Sequence, residues 1–159
     1  MTDTSHDELY MEKALHLAKK GIYTTTPNPR VGCVIVKDHN VVGEGFHEFP
    51  GEDHAEIIAL RKAGSNANGS TVYVTMEPCC YTGKTGACTK ALINARINRI
   101  VIAMIDPNPL VKKMGICKLR DQGIEVTVGV LEKKANEINL GFIKRMSTGM
   151  PWVRAKMAS

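Results

Sequence analysis

The chain has no apolar run approaching the roughly 18 residues that a membrane-spanning helix needs, and nothing at its N-terminus reads as an apolar signal segment. Met1-Thr2-Asp3-Thr4-Ser5-His6-Asp7-Glu8 is polar and partly acidic. The expected compartment is therefore cytoplasmic, with no membrane contact. Internal repeats, low-complexity tracts and a convincing linker are also missing, which excludes solenoids and beads on a string. Aromatic residues make up only 5% of the chain, too few for a base-stacking platform. The net charge of +5 is spread out rather than gathered in a block, so no nucleic-acid partner is expected.

What remains is a chain of ordinary globular composition, 43% hydrophobic and 23% charged over 159 residues, long enough to bury a core without disulfides. It carries five cysteines, two of them adjacent. In a reducing compartment such a set reads as metal-binding or reactive rather than as a disulfide framework.

Apolar spacing predicts a helix over Asp7–Lys20, stopped by Gly21, and Thr24–Pro29 reads as a loop around its prolines. Val31–Val36 and Val41–Phe46 form a predicted hairpin about Asp38-His39-Asn40. Helices are expected over Glu52–Ala63, Cys88–Ala95, Lys113–Gln122 and Leu131–Met146. Strands are expected at Thr71–Met76, Ile100–Ile105 and Ile124–Val128, with a last β-like run at Trp152–Met157. A hairpin followed by alternating helix and strand implies a three-layer α/β/α domain with a mixed central sheet.

The chemistry concentrates in His54-Ala55-Glu56, Pro78-Cys79 and Cys88. One imidazole and two thiols are a catalytic zinc donor set that leaves a fourth position open, and a carboxylate outside that set can carry protons. With Glu52–Ala63 helical, His54 lies in the first turn and Glu56 roughly 200° further round. The pair therefore suits a ligand plus a proton shuttle. Cys79 follows a predicted strand at its carboxyl end. Cys88 opens a helix, where the dipole and free N–H groups favour a thiolate. Cys80 could compete with Cys79 as a ligand, whereas Cys33 and Cys117 read as core.

Zinc-dependent base deaminases carry H-x-E followed by P-C-x-x-C. Here the second half is stretched, with Cys80 to Ala87 standing between the two cysteines. Gly83-Lys84-Thr85 within that stretch is not a phosphate-binding P-loop, because the glycine that opens that motif, five places before Gly83, would fall on Pro78. Lys84 reads either as a solvated loop lysine or as a cation gripping an anionic substrate.

The chain resembles the deaminase domain of the bifunctional riboflavin-biosynthesis deaminase/reductases, nearly end to end. The matching segments are Pro27–Asp38, Gly51-Glu52 with His54-Ala55-Glu56, and Tyr73–Cys79, followed by Gly83-Lys84-Thr85 with Cys88, Asp106–Val111 and Gly141–Met146. The resemblance implies a cytidine-deaminase-like fold with Zn²⁺ held by His54, Cys79 and Cys88, and Glu56 as the catalytic proton shuttle. It also implies substrate contacts from Asn28, His47, Lys84, Asp106 and Asn108. By themselves Asp106 and Asn108 read as turn formers beside prolines.

The implied reaction is hydrolytic deamination of diaminohydroxyphosphoribosylaminopyrimidine, releasing ammonia. The implied arrangement is a deaminase domain over residues 1–147 and a strand or linker over 148–159, leading in longer chains toward a reductase domain. No reductase activity is expected from this chain itself, and a homo-oligomer is expected. The alternatives are deamination of another nucleobase or nucleotide, and a non-catalytic zinc module whose closed four-ligand site would draw in Cys80. Three departures from the family pattern fall on the substrate side. Tyr81 stands where the family has histidine, and Gly86-Ala87 where it has paired prolines. Lys112-Lys113-Met114-Gly115 replaces Ala-Gly-basic-Gly, and the lost glycine makes positive φ at position 113 costly.

Overall fold

The computed structural model describes residues 3–81 and 87–158. Its elements run α1 (Asp3–Lys19), β1 (Gly32–Lys37), β2 (Asn40–Phe46), α2 (Ala55–Ala63), a 3₁₀ turn (Gly64–Ala67) and β3 (Thr71–Met76). They continue with α3 (Cys88–Asn94), β4 (Arg99–Met104), α4 (Met114–Asp121), β5 (Glu125–Val128), α5 (Glu132–Glu137) and α6 (Leu140–Thr148).

The strands form one sheet in the order β2-β1-β3-β4-β5. β1 pairs antiparallel with both β2 and β3, while β3–β4 and β4–β5 are parallel. Antiparallel β1 and β2 need only the two-residue turn Asp38-His39, and both residues take positive φ (49° and 63°), as a hairpin matching strand twist demands.

Alternation along each strand builds two cores. Cys33, Ile35, Val72, Val74, Ile100 and Ile102 face one way and pack with residues of α2, α3 and α4. Val34, Val36, Tyr73, Val101 and Ala103 face the other way, against α1 and Ala135 of α5. A strand buried on both faces needs near-continuous apolar sequence, which is what β1, β3 and β4 have. The result is the expected three-layer α/β/α arrangement with a mixed sheet.

Close approach of helix to sheet depends on missing side chains. A Cβ at Gly43 would lie 2.2 Å from the Ala59 carbonyl oxygen, and one at Gly32 would lie 1.9 Å from that of Ala14. α2 therefore sits directly on the backbone of β2, which fixes where its N-terminus meets the sheet.

Three sequence expectations are corrected. The helix predicted from Glu52 starts at Ala55, with His54 as its N-cap in extended geometry (φ −72°, ψ 159°). His54 therefore precedes the first turn, and its carbonyl accepts the first helical bonds from Ile57 and Ile58. The helix predicted over Leu131–Met146 is two helices, broken where buried Asn139 accepts from Arg30 N (2.8 Å) and donates to Arg30 O (3.0 Å). Trp152–Met157 forms no strand and joins neither edge of the sheet.

Candidate metal centre

β3 and β4 run parallel, so their carboxyl ends open on the same edge of the sheet, where α/β folds place their sites. Met76-Glu77-Pro78-Cys79 leaves β3 there and Asp106 follows β4. The N-termini of α2 and α3 bring His54 and Cys88 to the same place. The cavity they enclose measures about 590 Å³.

His54, Cys79 and Cys88 converge within it. Their donor atoms all lie within 4.8 Å of one another. His54 Nδ1 is 3.2 Å from Cys88 Sγ and 3.6 Å from Cys79 Sγ. Tetrahedral Zn²⁺ with bonds of about 2.0 Å to nitrogen and 2.3 Å to sulfur needs N···S edges of about 3.6 Å. The three donors fit that ion with little movement. Cys79 belongs to the group, whereas Cys80 is outside it and opens on a different cleft beside Lys112, Lys113 and Cys117.

The protons of this cluster are shared unevenly. The Cys88 thiol and its backbone N–H (3.3 Å) both turn to Cys79 Sγ, and with His54 they hold the Cys79 thiol well below its ordinary value. Cys88 is pushed up in turn, by its hydrogen bond to Cys79 and by burial. The backbone N–H of Cys88, the first residue of α3, thus points at the sulfur of Cys79. Contact with Cys79 raises His54.

Glu56 lies on the second position of α2, 3% exposed. It lines the cavity next to His54 but is not one of the three grouped donors. Burial pushes its carboxyl up to about 7, close to the pH at which a group both takes and gives protons efficiently.

Asn28, His47, Asp106 and Asn108 all line the same cavity. His47 Nδ1 stands 3.1 Å from the Asp53 carbonyl, which can only accept, so that nitrogen carries the proton. Nε2 then accepts from the Asn28 amide at 3.1 Å. Burial lowers the His47 pKa, keeping this neutral form. Asp106 and Asn108 also fulfil the turn reading, because Asp106 Oδ1 accepts from Asn108 N (2.9 Å) and Asn108 Oδ1 from Leu110 N (3.1 Å). Lys84 lies outside the described residues. Tyr81 is 54% exposed and lines the cavity.

Sequence reasoning missed Glu77. Its buried carboxylate accepts four backbone N–H groups. Oε2 takes Asp106 N (3.0 Å) and Lys113 N (3.1 Å), and Oε1 takes Gly115 N (3.0 Å) and Ile116 N (3.3 Å). It ties the Asp106–Lys113 loop and the start of α4 to the end of β3, one residue from Pro78-Cys79. The signal available was an acidic residue ending an otherwise buried apolar strand. Lys113, which caps α4, takes φ 66° without being glycine. Cys117, expected in the core, is exposed, because α4 turns the adjacent Ile116 and Leu119 inward instead.

Residues 4–104 match the family described as the cytidine and deoxycytidylate deaminase zinc-binding region. The chain is 53% identical over 155 residues to the riboflavin biosynthesis protein RibD of Haemophilus influenzae, covering 98% of this chain and 42% of that protein. It is also 53% identical to the diaminohydroxyphosphoribosylamino-pyrimidine deaminase of Buchnera aphidicola subsp. Acyrthosiphon pisum, covering 92% of this chain and 99% of that one. The solved structure of Acinetobacter baumannii RibD superposes with a TM-score of 0.94 at 50% identity, over 95% of this chain and 43% of that chain. The chain thus spans about two-fifths of the longer relatives and nearly all of the shorter one.

Proposed function

The chain belongs to the zinc-binding cytidine and deoxycytidylate deaminase family, and from that premise we propose that it hydrolyses diaminohydroxyphosphoribosylaminopyrimidine and releases ammonia, a step of riboflavin synthesis. One observation carries the reading: a His-Cys-Cys donor group beside a buried carboxylate, in a cavity sized for a small-molecule ligand.

His54 Nδ1, Cys79 Sγ and Cys88 Sγ hold the metal. When bound, Zn²⁺ supplies Lewis acidity that makes water a nucleophile near neutral pH. Glu56 takes one proton from the attacking water and passes it to the adjacent ring nitrogen as the oxygen bonds to the ring carbon bearing the exocyclic amine. It then carries the remaining hydroxyl proton to that amine, so the C–N bond breaks, ammonia leaves and the oxygen stays as a ring carbonyl. Burial supports this role, since desolvation raises the carboxyl and makes it readier to take a proton.

Asn28, neutral His47, Asp106 and Asn108 orient the substrate, and Lys84 is assigned to it as a further contact on sequence grounds. Residues 1–147 make up the deaminase domain, and 148–159 lead toward a reductase domain in longer chains. Exposed Met150, Trp152 and Val153 offer apolar surface for the expected homo-oligomer. Among the described residues no helix is long and apolar enough to cross a membrane.

Ammonia release from this pyrimidine, from dCMP and from cytidine tests the assignment. Release from the phosphoribosylaminopyrimidine should dominate. Preference for dCMP or cytidine would overturn the substrate, and no release from any of them would overturn the reaction.

A further inference from the structure

Gly141–Met146 stands out in the sequence yet has no part in the chemistry above. In the structure it is most of α6, and Phe142, Arg145 and Met146 form part of the cavity wall. Among the described residues lining the cavity, Arg145 is the only lysine or arginine. The other charged lining groups are the carboxylates Glu52, Glu56, Glu77 and Asp106 and the two histidines. A phosphate placed among those carboxylates is repelled, and one placed at Arg145 is not.

The guanidinium is held rather than free. One of its N–H groups donates to the Pro27 carbonyl, and its carbon lies 5.6 Å from the centre of the Phe142 ring. The start of α6 is in turn fixed to the Pro27–Arg30 loop by Asn139 and by Arg30 Nη1 donating to the Ile138 carbonyl at 2.8 Å. A guanidinium has five donors, so the bond to Pro27 leaves four on a fixed plane, a geometry suited to a two-point grip on phosphate.

The route from the metal group to Arg145 runs through the residues assigned to the substrate. The His54 and His47 rings are 5.4 Å apart, and His47 meets Asn28 at 3.1 Å. Asn28 follows Pro27, whose carbonyl meets Arg145. A ligand whose ring is at the donor group and whose anionic tail lies past Asn28 would reach the guanidinium. We propose that Arg145 binds the phosphate of the substrate and sets the preference for phosphorylated over dephosphorylated pyrimidine. This rests on the substrate reading given above.

The test uses the zinc-loaded chain with Arg145→Gln and Arg145→Lys. Calorimetric titration with ribose 5-phosphate, with ribose as control, reads anion binding without turnover. Arg145→Gln should weaken ribose 5-phosphate about 10- to 100-fold, the usual value of a charge-assisted pair. Arg145→Lys should weaken it less, since charge stays and the planar fork is lost. The kcat/KM ratio of the phosphorylated to the dephosphorylated pyrimidine should collapse by a similar factor in Arg145→Gln. A wild-type chain that does not bind ribose 5-phosphate, or variants that keep wild-type affinity and ratio, would overturn the proposal. Should Arg145→Gln fail to fold, Arg145→Lys decides, and unchanged affinity there overturns it. If the wild type releases no ammonia, the substrate reading falls, while the ribose 5-phosphate titration still decides Arg145.

Discussion

Replacing Glu77 by glutamine changes one oxygen into a donor and leaves the shape of the side chain almost untouched. In the native protein each carboxylate oxygen accepts two backbone N–H groups, from Asp106 and Lys113 at Oε2 and from Gly115 and Ile116 at Oε1. Whichever way the amide turns, two of those N–H groups then face an N–H. Each buried, unpaired donor costs about 1–3 kcal/mol, and loss of the negative charge at the start of α4 costs about 0.3–1 kcal/mol more. The expected loss is about 2–7 kcal/mol, a large part of a typical folding stability of about 5–15 kcal/mol. For a domain of this length that is a fall in Tm of roughly 4–28 °C. The assay is urea denaturation of metal-loaded and chelated protein, wild type against Glu77→Gln, because bound metal adds its own stabilisation. A loss under 1 kcal/mol in both forms would refute the view that this carboxylate ties the loop and α4 to β3.

Lys113 at φ 66° carries the strain of a non-glycine residue in the left-handed region, so Lys113→Gly should raise stability by about 0.5–1 kcal/mol; a loss in thermal denaturation would contradict this. Cys88→Ser should bind zinc far more weakly and forfeit the stabilisation that bound metal gives, about 4 kcal/mol at a thousandfold excess over Kd, as read by metal analysis and by Tm with and without zinc. In the chelated protein Glu56 holds its proton up to about 7, against the ordinary 4.5. Between those values the folded chain binds a proton that the unfolded chain has released, so this group makes stability fall as pH rises. Glu56→Gln should therefore gain on the wild type by roughly 3 kcal/mol from pH 4.5 to 7 in chelator, and a flat difference would contradict the burial argument. In the zinc-loaded enzyme the same variant should keep its metal and lose about 10²- to 10⁴-fold in kcat; parallel loss of zinc would make Glu56 a ligand instead.

The donor group was legible because its chemistry is written in residue type and spacing. His54, Cys79 and Cys88 stand at junctions between elements that local pattern locates well. The two-faced apolar strands likewise announce a sheet covered on both sides. What escaped the sequence depends on contacts between distant residues. The break at Asn139 is made by Arg30, 109 positions away, and apolar periodicity runs through it unbroken. Glu77 looks like a strand end until Gly115 and Ile116 arrive to use it. Arg145 belonged to a matching segment with no assigned task until α6 was seen to wall the cavity. At Trp152–Met157, β propensity alone did not add a strand to the sheet. At Lys113, the carboxylate of Glu77 accepts the backbone N–H of a residue whose conformation glycine would adopt more easily.

Zinc titration into the chelated chain, with ammonia release from diaminohydroxyphosphoribosylaminopyrimidine followed throughout, tests the central claim most directly. Turnover should be absent without metal, rise in proportion to added zinc and saturate at about one ion per chain, the stoichiometry of a single three-ligand centre. Turnover that persists in the chelated protein, or none at full zinc occupancy, would contradict a deaminase built on His54, Cys79, Cys88 and Glu56.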